Sequence, residues 1–130
     1  MPVTEKTVLT AELRLDVQEF YARYAECLDG GRLQQWPEFF LDSCTYRVTT
    51  RRNLRLGPDE HLVSLSTKTT MRDRIVAIGQ SEDYEPHTQR HLVSGTYDDR
   101  VAIAGRRLHF KEKLCVLDSD VPPDALIYPI

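Results

Sequence analysis

The stretch Leu33-Gln34-Gln35-Trp36-Pro37-Glu38-Phe39-Phe40-Leu41-Asp42-Ser43-Cys44-Thr45-Tyr46-Arg47-Val48-Thr49 changes its apolar period partway along, and that change decides the fold. Its first half sets Leu33, Trp36, Phe39 and Phe40 at helical spacing, while its second half alternates Cys44, Tyr46 and Val48 with Thr45, Arg47 and Thr49. Steps of three and four line one face of a helix, and strict alternation lines one face of a strand. A short helix feeding a half-buried strand is therefore expected, with Pro37 tolerable only near the helix's first turn. Trp36, Phe39 and Phe40 read as core rather than as a ligand box. Tyr46 reads as a core tyrosine with a wet hydroxyl.

Upstream, Leu13, Val17, Phe20, Tyr24 and Leu28 stack on one helical face, with Thr10 able to cap the start and Gly30 the end. After the Gly30-Gly31 turn the second helix must lie close to the first. Downstream, the charged run Arg51-Arg52-Asn53-Leu54-Arg55 extends the strand to a turn at Gly57-Pro58. His61 to Ser66 suits a weak strand, and Met71, Ile75 and Ile78 a third helix ending at Gly79, with Lys68-Thr69-Thr70 ambiguous between them. Ser81 to Pro86 reads as an acidic loop and Thr88 to Tyr97 as a strand. Arg100 to Ala104, Gly105 and Arg107 to Leu117 make a hairpin. Its second arm sets Leu108, Phe110, Glu112, Leu114 and Val116 against His109, Lys111 and Lys113, so its solvent face is expected to be basic. Helices first and strands later argue for an α+β domain, about three helices packed on one face of a curved antiparallel sheet. No composition shift divides the chain, so residues 1–130 are expected to form one domain.

The 130 residues, 41% of them apolar, can bury a core without staples. The 17 basic and 20 acidic side chains are interspersed, so no single-sign field steers nucleic acid or an anionic membrane. Cys27, Cys44 and Cys115 are odd in number and far apart, as free thiols of a reducing compartment would be, and Cys44 and Cys115 lie in apolar alternation as small core residues. Met1-Pro2-Val3-Thr4-Glu5-Lys6 lacks the basic start and apolar stretch of a signal peptide, and no run reaches membrane-spanning length. A cytoplasmic location is expected.

Chemistry-bearing residues are few. His87 and His91 have the spacing of a helical metal pair, and Asp83 could extend them to a facial triad, but Pro86 and Leu92-Val93 favour a strand. On a strand, residues four apart sit roughly 13 Å from each other, too far to share a metal. His61 and His109 belong to other elements. A Cys-x-x-Cys pair, a glycine-rich phosphate loop and a nucleophile elbow are all absent. Asp29 closes the first helix, where it serves either as a pocket acid or as a capping carboxylate, and Asp42 and Tyr46 flank the first strand where a pocket could open. Arg90, inside a β-forming run, must face solvent or make a paired contact across an interface. The tail Ala125-Leu126-Ile127-Tyr128-Pro129-Ile130, behind Val121-Pro122-Pro123-Asp124, reads as an extended strap that must be docked, with Leu126, Ile127, Tyr128 and Ile130 as anchors.

These blocks, in order, resemble the small (beta) subunit of bacterial aromatic-ring-hydroxylating oxygenases of the Rieske type. The resemblance rests on Tyr21 to Asp29, on Trp36 to Tyr46, on Met71-Arg72-Asp73-Arg74-Ile75, on Gln89-Arg90-His91-Leu92-Val93-Ser94 and on Asp118 to Ile130. The Trp-Pro and Gln-Arg-His blocks are most similar to salicylate, benzoate and anthranilate-type small subunits. The resemblance implies a cone-shaped fold similar to nuclear transport factor 2 and ketosteroid isomerase. It implies a large alpha subunit as partner, carrying the Rieske iron-sulfur cluster and the mononuclear iron, and a trimer of small subunits within a hetero-hexamer. No catalytic residue, cofactor or metal is then expected in this chain, and no Cys-x-His or Cys-x-x-His is present to hold a Rieske cluster. Arg90 and the tail become candidate interface residues. In one respect the sequence departs from the family: Ser94 to Arg100 leads almost directly into Val101, so the sheet is two strands short or a segment is missing. The alternative is a stand-alone isomerase or dehydratase of the same fold, acting on a small aromatic or polyketide-like ligand through Asp29, Tyr46 and His91.

Overall fold

A computed structural model describes residues 10–57, 61–80, 94–119 and 129–130. The first helix, α1 (Ala11–Asp29), starts where the Thr10 hydroxyl accepts the Leu13 N–H at 3.1 Å. It buries Phe20, Tyr24 and Cys27, and Gly31, one residue beyond the Gly30 cap, takes the left-handed conformation that turns the chain (φ 70°). The short helix that follows, Leu33–Phe39, is 3-10 in type with Pro37 inside it. It delivers Trp36 and then Phe40, both fully buried, to the start of strand β1 (Phe40–Thr50).

The charged run after β1 is a helix rather than more strand. The Thr50 hydroxyl accepts the Asn53 N–H at 3.0 Å and so opens α2 (Arg51–Leu56). Strand β2 (Val63–Thr67) and helix α3 (Lys68–Gln80) agree with the apolar spacing, and the ambiguous Lys68-Thr69-Thr70 is helical. Thr67 and Thr70 cap one another there: each hydroxyl accepts the other's N–H, at 3.2 Å and 3.1 Å. Strand β3 (Gly95–Ala104) then turns through Gly105, at φ 66°, into β4 (Arg107–Leu117). The expected break between a strand ending at Tyr97 and one beginning at Arg100 is absent, since Tyr97-Asp98-Asp99 continues the ladder without interruption. The loop 81–86 and residues 88–93 lie outside the described residues.

Among the described residues the sheet has four strands in the order β2-β1-β4-β3. β1 pairs antiparallel with β2 and β3 antiparallel with β4, but the central β1–β4 pair is parallel, so the sheet is mixed where antiparallel pairing throughout was expected. A parallel neighbour needs a long crossover, and the chain from Thr50 to Arg107 supplies it. One contiguous core joins Phe20, Tyr24 and Cys27 of α1, Trp36, the β1 residues Phe40, Cys44, Tyr46 and Val48, Met71 of α3, and Phe110, Cys115 and Leu117 of β4. α1, the 3-10 helix and α3 therefore share one face of the sheet, the α+β arrangement expected. Trp36 and Tyr46 meet edge to face at 5.0 Å, and Phe20 and Phe110 lie 4.7 Å apart.

A β-bulge sets which side chains of β4 point into that core. Val101 opposes Phe110 and Arg100 opposes Glu112, so Lys111 has no partner across the ladder. The extra residue reverses the alternation. Phe110 faces the core before it, and Lys113, Cys115 and Leu117 are buried after it. Lys113, expected on a basic solvent face, is thus carried inward.

Candidate functional site

Lys113 lies beneath α1 with its ammonium 2.9 Å from Asp99 Oδ2, and the two side chains are 0% and 3% exposed. Register explains the meeting, because Asp99 and Lys113 are direct cross-strand partners. The Tyr21 hydroxyl donates to the same oxygen at 2.6 Å. Among the described residues Asp99 Oδ1 has no hydrogen-bond partner. The ammonium also lies over the Tyr97 ring at 3.3 Å, the Phe110 ring at 4.3 Å and the Tyr24 ring at 4.8 Å. Ring faces of this kind stabilise a cation by about 0.5–2 kcal/mol each, depending on desolvation. Burial still lowers the Lys113 pKa below its ordinary value, against the pull of Asp99.

A second polar cluster adjoins the first. The Trp36 indole N–H donates to the Tyr24 hydroxyl at 3.0 Å, and Tyr24 in turn donates to the main-chain oxygen of Ile130 at 2.9 Å. Tyr46 accepts the Ile130 N–H at 3.0 Å and faces the Ile130 oxygen at 3.3 Å. The Cys115 thiol approaches the same oxygen at 3.8 Å. Burial is the main cause that raises the pKa of Tyr21, Tyr24 and Tyr46 above the usual phenol range, and it pushes Tyr97 and Cys115 up to about 12. These groups therefore stay protonated near neutral pH, and Tyr21, Tyr24, Tyr46 and Cys115 act as hydrogen-bond donors, not as bases or nucleophiles. Beside Cys115 and Ile130, a cavity of about 250 Å³ opens along Ser94 to Tyr97.

Of the residues singled out in the sequence, Tyr46 is buried in this cluster, and Asp29 is exposed at the end of α1. The two do not form an acid/base pair. Asp42 is exposed too, 3.6 Å from Lys68. Asp83, His87, Arg90, His91, Leu126, Ile127 and Tyr128 lie outside the described residues. Ile130 is half-buried and bound by its main chain to this chain's own core. Asp99, Lys113 and Tyr21 escaped the sequence reading. The signal that could have found them was parity: Phe110 and Cys115 are five apart, and both can face one core only if a bulge intervenes.

Among the described residues no group of three or more His, Cys, Asp or Glu side chains converges as a metal site. The thiols are dispersed, Cys27 donating to the Arg32 oxygen, Cys44 meeting the Met71 sulfur and Cys115 the Ile130 oxygen. They do not fit an iron–sulfur cluster. No helix among the described residues is long and apolar enough to cross a membrane.

Helices on one face of a mixed sheet, four-stranded among the described residues, around a polar-centred core, define the cone-like α+β class. Within that class the chain belongs to the SnoaL-like domain family, whose pattern matches residues 9–97. It is similar to the anthranilate 1,2-dioxygenase small subunit of Burkholderia cepacia, 40% identical over 73 residues that make up 56% of this chain and 45% of that protein. It is also similar to the terephthalate 1,2-dioxygenase terminal oxygenase component subunit beta 1 of Comamonas sp, 34% identical over 79 residues, 61% of this chain and 51% of that one. The match thus spans about half the length of these curated relatives. A solved beta subunit assigned to an aromatic-ring-hydroxylating dioxygenase of Novosphingobium aromaticivorans DSM 12444 superposes with a TM-score of 0.79 at 25% identity, covering 92% of this chain and 99% of the other.

Proposed function

We propose that this chain is the structural and assembly small subunit of a multicomponent aromatic-ring-hydroxylating oxygenase that serves aromatic catabolism in the cytoplasm. The observation that carries the reading is its similarity to small subunits of two dioxygenases, whose names, anthranilate and terephthalate, both denote aromatic carboxylates. In this reading residues 1–130 form one domain. The partner is a large alpha subunit that carries the Rieske cluster and the mononuclear iron, and this chain trimerises within a hetero-hexamer. Arg90, Leu126, Ile127, Tyr128 and Ile130 are the interface residues proposed, Ile130 through the part of it that its own core leaves exposed.

Co-expression with the large subunit from the neighbouring reading frame tests this. A tagged form of this chain should retain the partner and its iron through purification. The same chain expressed alone should show no iron and no ring hydroxylation. Turnover by the isolated chain, or failure to retain any large subunit, would overturn the assignment.

A further inference from the structure

The Ile130 main chain is held by side chains in the way a bound peptide would be. Its N–H is captured by the Tyr46 oxygen at 3.0 Å, and its own oxygen faces the hydroxyls of Tyr24 and Tyr46 and the thiol of Cys115. Donor and acceptor of one residue are thus read together. Pro129 before it is buried, and the Ile130 side chain packs on the core. The receiving groups come from three different elements, α1, β1 and β4, each rigidly packed in the core. Tyr24 is also oriented from behind: the Trp36 indole occupies its oxygen as an acceptor and leaves its proton for Ile130.

We propose that the nest made by Tyr24, Tyr46 and Cys115 is a peptide-binding site whose ligand is the Pro129–Ile130 dipeptide of the same chain, and that it accepts this dipeptide supplied as a separate molecule. Vacating the nest leaves hydroxyl and thiol groups of the core without their partner, which is costly, so the empty site favours any ligand that restores both contacts. The chemistry required is narrow: a secondary amide N–H and an oxygen on the same residue, with a branched aliphatic side chain beside them. An N-acylated isoleucine amide carries all three. Preorganisation by the packed core lowers the ordering cost of binding.

The test begins with the full chain and amide hydrogen exchange. The Ile130 amide should exchange at least ~100-fold more slowly than in an unstructured peptide, and Tyr46→Phe should lose about tenfold of that protection, as the removal of one hydrogen bond implies. The variant Ile130→Gly empties the apolar part of the site. Its Tm should fall, and millimolar N-acetyl-prolyl-isoleucine amide should raise it again, while the N-methylisoleucine analogue, which lacks the N–H, should not. If the variant fails to fold alone, the same dipeptide should restore its folding and the analogue should not. An Ile130 amide that exchanges at the free-peptide rate, or equal effects of the dipeptide and its N-methyl analogue, would overturn the proposal.

Discussion

Two ion pairs sit one step apart in the β3–β4 ladder, Asp99 opposite Lys113 and Arg100 opposite Glu112. Their separations are alike, 2.9 Å and 3.2 Å, but the first pair is 0–3% exposed and the second 45–75%. Successive strand residues point to opposite faces, so one register position separates a desolvated pair from a wet one. The lesson is that environment, not distance, sets what a pair does. Outside, water screens both charges and the pair contributes little. Inside, each charge depends on its partner, on the Tyr21 hydroxyl and on the surrounding ring faces.

Breaking the inner pair should have the largest effect. Lys113→Met strands the Asp99 carboxylate in the core and should cost about 3–5 kcal/mol in urea unfolding. Adding Asp99→Asn to it removes the stranded charge, so the double variant should lose clearly less than the sum of the singles. Strict additivity would mean that the buried pair is uncoupled, and the contrast between the two faces would collapse.

Much of the molecule could be read from periodicity because most elements follow a single period from end to end. The α1 face, the change from helix to strand between Trp36 and Cys44, the α3 spacing and the hairpin around Gly105 were all visible this way, although Phe40, grouped with the helix by its spacing, opens the strand. What stayed hidden were local events that override a period. Thr50 captures the Asn53 N–H and starts α2, where the charged run alone suggested more strand. Lys111 bulges out of β4 and reverses the alternation, which turned Lys113 from a supposed surface residue into the centre of the polar core. The parallel β1–β4 pairing is a property of topology, and no local pattern encodes it. Of the polar centre, Tyr46, Tyr24, Cys115 and the docked Ile130 were legible as buried positions, but their meeting was not, because it rests on tertiary contacts with Ile130 and Trp36.

Alkaline pH should act next, and on the inner face alone. Cys115 ionises near 9.0 when unperturbed but holds its proton up to about 12 in the folded chain, and Tyr97 moves the same way with its share reduced by solvent, since it is 49% exposed. Folded values raised in this way contribute stability that is complete below pH 9 and lost as the pH rises towards 12. Lys113, whose pKa is lowered, works in the opposite sense below 10.5, but it is one group against several. Unfolding free energy should therefore decline between pH 9 and 12, and Cys115→Ala should make that decline shallower. An unchanged slope in the variant would remove Cys115 from the account.

A smaller effect is expected at Trp36. Replacing it with Phe keeps an aromatic ring but deletes the N–H that holds the Tyr24 oxygen. About 1 kcal/mol for the hydrogen bond, plus the packing of the lost ring atoms, should be missing in urea unfolding. Amide exchange at Ile130 should quicken as well, because Tyr24 would no longer be oriented towards it. Loss of stability with no change at Ile130 would show that Trp36 only fills space.

The outer pair should matter least. Arg100 is 75% exposed and Glu112 45% exposed, so Arg100→Ala removes one partner of a screened contact and leaves the other in water. The cost should lie below about 1 kcal/mol and should shrink further in 1 M salt, where the screening length falls to about 3 Å. The Lys113→Met loss, by contrast, should barely respond to salt, because its charges lie beyond the reach of mobile ions. Measuring both variants at low and high salt therefore separates the two faces directly. A salt response of equal size at Lys113 would mean that water and ions reach the inner pair, and that the core opens more than its packing implies.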